Sequence, residues 1–178
     1  MPKKNLKAAD LKKIIRDVPD FPKPGIVFKD ISTILKDPAA LKSAVDIMAA
    51  KFKKDKITKV VAVESRGFIF GSVLAYKLGA GFILVRKKGK LPYKTRSISY
   101  ELEYGKDTLE IHEDALTSKD RVLIVDDLLA TGGTVDAVAK LVNEFKSRIV
   151  GSVFLVELSF LKGRERLRRL PIFAIIKF

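Results

Sequence analysis

Apolar positions along the 178-residue chain recur with two periods, and the switches between them mark its elements. Leu6, Leu11, Ile14, Ile15 and Val18 fall on one helical stripe, which predicts an amphipathic helix over about residues 5–17. Pro19, Pro22, Pro24 and Gly25 break that regularity, so 21–28 reads as an ordered loop. Asp37-Pro38 is a helix start, with Asp at the cap and Pro at the first position, for a helix to about Phe52. Val60 to Val63 reads as a short buried strand and Glu64-Ser65-Arg66-Gly67 as a turn. The helix that follows runs to Leu78 and stops at Gly79. Gly81 to Val85 is a second strand, leading into the basic loop Arg86-Lys87-Lys88-Gly89-Lys90. Strand-like stretches lie near 97–104 and 107–112. A strand over 121–125, a helix from about 133 to 146, a strand over 149–157 and a last strand near 172–177 complete the pattern.

Short apolar strands alternating with helices predict an α/β fold: a central, mainly parallel, twisted sheet with helices on both faces. With no linker or internal repeat, residues 1–178 read as a single domain. Ligands of such sheets sit beyond the carboxyl ends of the strands. The loops expected there, 64–67, 86–90 and 126–134, should converge on one crevice.

Composition narrows the chemistry. No apolar run approaches the roughly 20 residues needed to cross a bilayer, and the first residues have no apolar h-region behind them. A cytoplasmic protein with no membrane partner is expected. With no Cys and one His the usual zinc sites are excluded, so any metal should be a hard, oxygen-liganded cation such as Mg²⁺. The net charge is +14, over half of it within residues 1–60. There, basic and apolar residues alternate at helical spacing, which reads as a solvated surface, and nucleic acid is not an expected partner.

The richest stretch is Val122-Leu123-Ile124-Val125-Asp126-Asp127-Leu128-Leu129-Ala130-Thr131-Gly132-Gly133-Thr134. A buried strand, a small-residue loop and a helix start bring backbone N–H groups to one point, as in phosphate sites. Thr131 and Thr134 add hydroxyl donors, and Gly132-Gly133 permits close backbone approach. It is not a Walker P-loop, because the Lys of that motif is missing. The Asp pair would repel phosphate but can accept hydrogen bonds from vicinal hydroxyls and bind Mg²⁺. A ribose 5-phosphate group satisfies both halves.

This block resembles the phosphoribosyl-pyrophosphate (PRPP) signature of the type I phosphoribosyltransferases. The chain is similar over nearly its whole length to the branch of that family that acts on adenine. Further matching stretches are Asp20-Phe21-Pro22, Pro24-Gly25-Ile26-Val27-Phe28, Glu64-Ser65-Arg66-Gly67-Phe68-Ile69-Phe70-Gly71, Arg86-Lys87-Lys88-Gly89-Lys90-Leu91-Pro92, Tyr100-Glu101-Leu102-Glu103-Tyr104-Gly105 and Leu161-Lys162-Gly163-Arg164. The resemblance implies a small N-terminal hood over about 1–35, which binds the base, and a mobile β lid over about 91–112. It implies the reaction adenine + PRPP → AMP + pyrophosphate, with Mg²⁺ held through PRPP and the Asp126/Asp127 pair. By the same resemblance Asp126 and Asp127 hold the ribose hydroxyls, and Ala130, Thr131, Gly132, Gly133 and Thr134 wrap the 5-phosphate. Glu64, Ser65 and Arg66, with a non-proline cis peptide, bind pyrophosphate together with Lys87 and Lys90. Val27, Phe28 and Lys29 meet adenine. Glu103 and Tyr104 carry the catalytic step, as proton acceptor and cover, and a homodimer is expected, with a lysine often supplied by the neighbouring subunit. On spacing alone Phe28 reads equally as core, the 86–90 loop as a solvated turn and Glu103 as part of an exposed hairpin. Two other functions fit the same blocks: transfer to another purine base, and PRPP-dependent regulation at nucleic acid.

Overall fold

The computed structural model describes residues 5–102 and 105–178, with no side chain described for 101–106. The first elements are α1 (Ala8–Ile14), β1 (Arg16–Pro19), β2 (Val27–Asp30), α2 (Ser32–Leu35) and α3 (Pro38–Phe52). Then come β3 (Lys59–Val63), α4 (Arg66–Leu78), β4 (Gly81–Lys87), β5 (Thr95–Leu102) and β6 (Gly105–His112). The chain continues through β7 (Arg121–Leu129), α5 (Gly133–Asn143) and β8 (Arg148–Glu157), and then a 3₁₀ turn (Ser159–Leu161), α6 (Gly163–Arg166) and β9 (Ile172–Lys177).

Seven strands form one sheet in the order β5-β6-β4-β3-β7-β8-β9. The five from β4 to β9 are parallel, and β6 and β5 are added antiparallel at one edge. Period-two alternation sets the layers. Val60, Ala62, Leu123 and Val125 join one buried cluster, with α3 and α4, while Val61, Val63, Val122 and Ile124 join another, with α5. Both faces of β3 and β7 are therefore dry, which is why they read as unbroken apolar runs. Glycine sets how closely α4 approaches. A Cβ on Gly71 would lie 2.6 Å from Ala62 Cβ, and one on Gly67 would lie 2.9 Å from Asp126 Oδ1.

Several boundaries agree with the sequence reading. Asp37 caps α3 by accepting from the N–H groups of Ala39 and Ala40, and Gly79 ends α4 with φ +66°. Two expectations are corrected. The first helix ends at Ile14, and Arg16–Pro19 pairs with Val27–Asp30 in a separate two-stranded antiparallel sheet. Val18 precedes a proline and is pushed to extended backbone, and an Arg16–Asp30 ion pair at 2.5 Å ties the strand ends. That guanidinium, with the N–H and hydroxyl of Ser32, holds the Asp30 carboxyl down at about 2. The second correction concerns β7, which does not stop at Val125. Its ladder with β8 runs on to Leu129↔Glu157, so both aspartates sit inside the strand rather than beyond it. The short helices α2 and α6 and the 3₁₀ turn carry no periodic signal long enough to read.

Gly71→Ala should destabilise the fold by about 1–3 kcal/mol, because Ala62 is itself pinned in β3 and cannot retreat. Urea denaturation would check this, and an unchanged midpoint would show that the α4–β3 contact is looser than its geometry.

Candidate active site

The loops after β3, β4 and β7 do meet. They line one cleft of about 500 Å³, whose walls include Glu64, Ser65, Arg66, Lys87, Asp126, Asp127, Ala130 and Thr134. Tyr100, Asp107 and Leu109 from the β5–β6 hairpin close another side. None of the three was named as a site residue from the sequence, although all fall within the 91–112 stretch that the resemblance marks as a lid; strand alternation alone does not show which of its side chains face the loops.

The Asp pair is the electrostatic centre. Asp127 is buried, and Asp126 is crowded by its neighbours with one edge open to the cleft. Burial, and then the charge of Asp127, push the Asp126 carboxyl well up from the usual carboxylate range. Burial raises Asp127 as well, against the pull of Arg66. Arg66 Nη2 lies 2.8 Å from Asp127 Oδ2, but too obliquely for a hydrogen bond, so that oxygen keeps its acceptor capacity. Asp126 Oδ1 accepts from the Asp127 N–H at 2.9 Å. Two hard, oxygen-bearing groups that resist carrying both charges are a fitting partial shell for Mg²⁺ shared with a ligand. Among the described residues no cluster of three or more ligating side chains could hold a metal ion.

Beside the pair stands the anion cradle. Gly132 caps α5 in the left-handed region, at φ +82°, and no side chain caps that helix. The first N–H groups of α5 therefore lack partners within the helix and point out of its positive end. The loop is held from behind: a Cβ on Gly132 would lie 2.7 Å from Gly163 O, and one on Gly163 would lie 2.2 Å from Ala130 O. Arg164 then grips the buried Glu157 with two bonds of 2.7 Å, locking α6 to β8. This gives the stretch 161–164 its physical purpose as a brace.

The basic wall is organised by acids. The Glu64–Ser65 peptide is cis. The Glu64 side chain accepts from Arg86 at 2.8 Å and Lys90 at 2.7 Å. Burial resists its ionisation, but those bonds outweigh it and hold the carboxyl below its ordinary value. Lys87 lies 3.0 Å from Asp107, whose carboxylate raises the ammonium. Burial raises the Tyr100 phenol.

Residues of β2 divide. Phe28 is not itself in the cleft lining but packs against Arg66, which is: its ring is 5.1 Å from the guanidinium and edge-on to Phe21 at 5.2 Å. Val27 is exposed. The Lys29 side chain does not share their direction: its Nζ is 2.7 Å from Asp17 and 4.2 Å from the Phe178 ring centroid. Thr131, Gly132 and Gly133 lie in the cradle between Ala130 and Thr134. Glu103 and Tyr104 lie outside the described residues.

Comparison with known proteins agrees with this architecture. The family described as "Phosphoribosyl transferase domain" matches residues 30–171. The adenine phosphoribosyltransferase of Syntrophotalea carbinolica is 59% identical over 169 residues, covering 95% of this chain and 99% of its own. The crystal structure of adenine phosphoribosyltransferase from Thermoanaerobacter pseudethanolicus superimposes with a TM-score of 0.93 at 50% identity, covering 97% of this chain and 100% of the other. The Giardia lamblia enzyme in complex with 9-deazaadenine gives a TM-score of 0.91 at 40% identity, covering 97% and 98%.

A carboxyl raised by folding binds its proton more tightly in the native state than in the unfolded one. Native stability then falls as pH climbs from the ordinary carboxylate value through the raised one. Asp126→Asn removes that titration. The ligand-free variant should melt higher than the parent near pH 7.5, with the gap closing toward pH 4. Parallel melting curves that keep a constant gap across this range would contradict the proton-retaining Asp126.

Proposed function

The chain belongs to the phosphoribosyl transferase family, and from that membership and the site we infer that it is a purine-salvage enzyme transferring the 5-phosphoribosyl group of PRPP to adenine. The products are AMP and pyrophosphate. The observation that carries this reading is the pairing, within one cleft, of two adjacent carboxylates, one buried and one half-buried, with an uncapped helix start. That pairing suits a ligand with a diol at one point and a phosphate close by.

The residue roles follow from the chemistry each group can perform. Asp126 and Asp127 accept the ribose hydroxyls and orient the sugar. The N–H groups of 130–134 and the hydroxyls of Thr131 and Thr134 donate to the 5-phosphate. Ser65, Arg66, Lys87 and Lys90 neutralise pyrophosphate as its bond to the sugar breaks. Glu64 is assigned to pyrophosphate only indirectly: its carboxylate holds Arg86 and Lys90, and its backbone is what faces the anion. Mg²⁺, shared between PRPP and the Asp pair, would add charge neutralisation on the leaving group.

Phe28 stacks on the purine, backed by Arg66. β2 belongs to a two-stranded sheet, so one edge of its backbone is free of any strand. A C=O there can accept the exocyclic amine of adenine while an N–H donates to N1. Hypoxanthine presents the opposite pattern and would leave polar groups mispaired. Lys29 joins this set through its backbone. As the new bond forms at N9, a proton must leave, and Glu103 is assigned to accept it under the cover of Tyr104. The β5–β6 hairpin acts as the lid that excludes water, and residues 1–35 as the hood over the base.

A homodimer is part of this proposal. Ile69, Val73 and Tyr76 on α4 and Leu84 on β4 are exposed apolar side chains, Tyr76 at 88%. A second copy covering them would bring its own basic loop near the cleft. PRPP and AMP are phosphorylated metabolites, so a cytoplasmic setting suits the reaction, and no described helix is long and apolar enough to cross a membrane.

Purified protein should form AMP from adenine, PRPP and Mg²⁺, but little product from hypoxanthine or guanine. No AMP from adenine would end this reading, and a salt-sensitive shift of nucleic acid without turnover would put a regulator in its place. Asp127→Asn should cost about 10²-fold or more in kcat/KM, because it removes an oriented charge at the reacting sugar. Thr131→Ala should be the next most damaging. His112→Ala should change activity little, since His112 lies outside the cleft lining. Equal damage from His112→Ala and Asp127→Asn would overturn these roles. Val73→Asp should convert the dimer to a monomer by sedimentation.

A further inference from the structure

The strand that presents the purine-stacking ring has no backbone ladder to the main sheet. β2 pairs with β1 alone. A two-stranded sheet is marginal by itself, so side chains must fix where this one stands. Two cation–ring contacts grip β2 from opposite faces, with the partners exchanged. On the cleft face the hairpin supplies the ring, Phe28, and α4 supplies the cation, Arg66, at 5.1 Å. On the other face the hairpin supplies the cation, Lys29, and Phe178 supplies the ring, at 4.2 Å.

The second contact is built to hold. The Lys29 side chain is only 13% exposed, and its ammonium is also 2.7 Å from Asp17, its register partner across the hairpin. Lys12 of α1 places a second ammonium 4.5 Å from the same Phe178 ring and donates to the Lys177 C=O at 2.5 Å. The Phe178 backbone is fixed on the edge of β8: its N–H donates to Glu157 O at 2.9 Å, and its C=O accepts from Ser159 N at 2.8 Å. Glu157 is the residue gripped by Arg164, so this anchor is continuous with the brace behind the phosphate cradle.

We propose that Phe178 is a positioning residue for the purine base. Successive side chains on a strand point to opposite faces, so docking Lys29 on Phe178 sets the height and tilt of Phe28 over the cleft. The role rests on the adenine reading above. Phe178 touches neither substrate; it acts through Lys29 and the β2 backbone. Its effect therefore falls on adenine, whereas PRPP is held by the sheet loops.

The test is a comparison of steady-state constants for the unsubstituted protein, Phe178→Leu, Phe178→Tyr, Lys29→Met and the Lys29→Met/Phe178→Leu double variant. Leucine keeps the apolar bulk and loses the ring face, whereas tyrosine keeps the face. Phe178→Leu should raise the KM for adenine about three- to tenfold, the range expected for losing a partly desolvated cation–ring contact, with the KM for PRPP and kcat nearly unchanged. Phe178→Tyr should restore the parent value, and the double variant should be no worse than Phe178→Leu. An equal rise in both KM values, a tyrosine variant as impaired as leucine, or additive losses in the double variant would each overturn the role. No AMP from the unsubstituted protein would overturn the assigned reaction and this role with it. A normal parental rate beside an unchanged adenine KM in Phe178→Leu would overturn this role alone.

Discussion

Two adjacent carboxylates inside a buried strand are the constraint around which this molecule is arranged. Folding places Asp126 and Asp127 where neither is well solvated; burial makes both harder to ionise, and the charge of Asp127 adds to the burden on Asp126. One guanidinium, Arg66, relieves part of that strain. The rest is left for a ligand that brings hydroxyl donors or a divalent cation. A site that is electrostatically incomplete when empty binds most strongly the molecule that completes it, and stability is given up locally for that purpose.

The surrounding charges follow from this centre. Basic residues close enough to attract pyrophosphate would also be drawn onto the Asp pair, yet most are held elsewhere. Glu64 retains Arg86 and Lys90, and Asp107 retains Lys87. The cleft thus keeps positive and negative walls apart, which a polyanion with a neutral diol can bridge. Some of the positive charge beyond the cleft sits in ordinary surface pairs, such as Lys42–Asp46 and Lys140–Asp136, and these contribute little to stability.

The layered sheet, the succession of strands and helices along the chain and the three converging loops were legible because they depend on local signals. Val60–Val63 and Val122–Val125 are apolar without interruption, Asp37-Pro38 is a strong cap, and Gly79 permits a left-handed turn. The Asp pair and the 130–134 loop were legible because their chemistry is contained in consecutive residues. What could not be read was long-range pairing. Nothing local in Arg16–Pro19 reveals that Val27–Asp30 will lie beside it, and helical spacing of Leu11, Ile15 and Val18 argued the other way. Tyr100 and Asp107 become site residues only through the register Tyr100↔Asp107 and the fold of their hairpin over the cleft. Lys29 adjoins Phe28 in sequence, but strand alternation sends its side chain to Asp17 and Phe178.

That last divergence separates two ways of holding a substrate. On the proposed roles, the ribose and phosphate half of the cleft is fixed by backbone ladders and by glycine contacts too close for any side chain, at Gly67, Gly132 and Gly163. Its geometry can scarcely shift without breaking the sheet. The base half hangs on a two-strand hairpin located by side chains, Arg66 against Phe28 and Phe178 against Lys29. A few substitutions could move it by a fraction of an ångström while leaving the fold intact. The proposed roles thus build recognition of the sugar phosphate into the architecture and place discrimination among bases on the element whose position is easiest to tune.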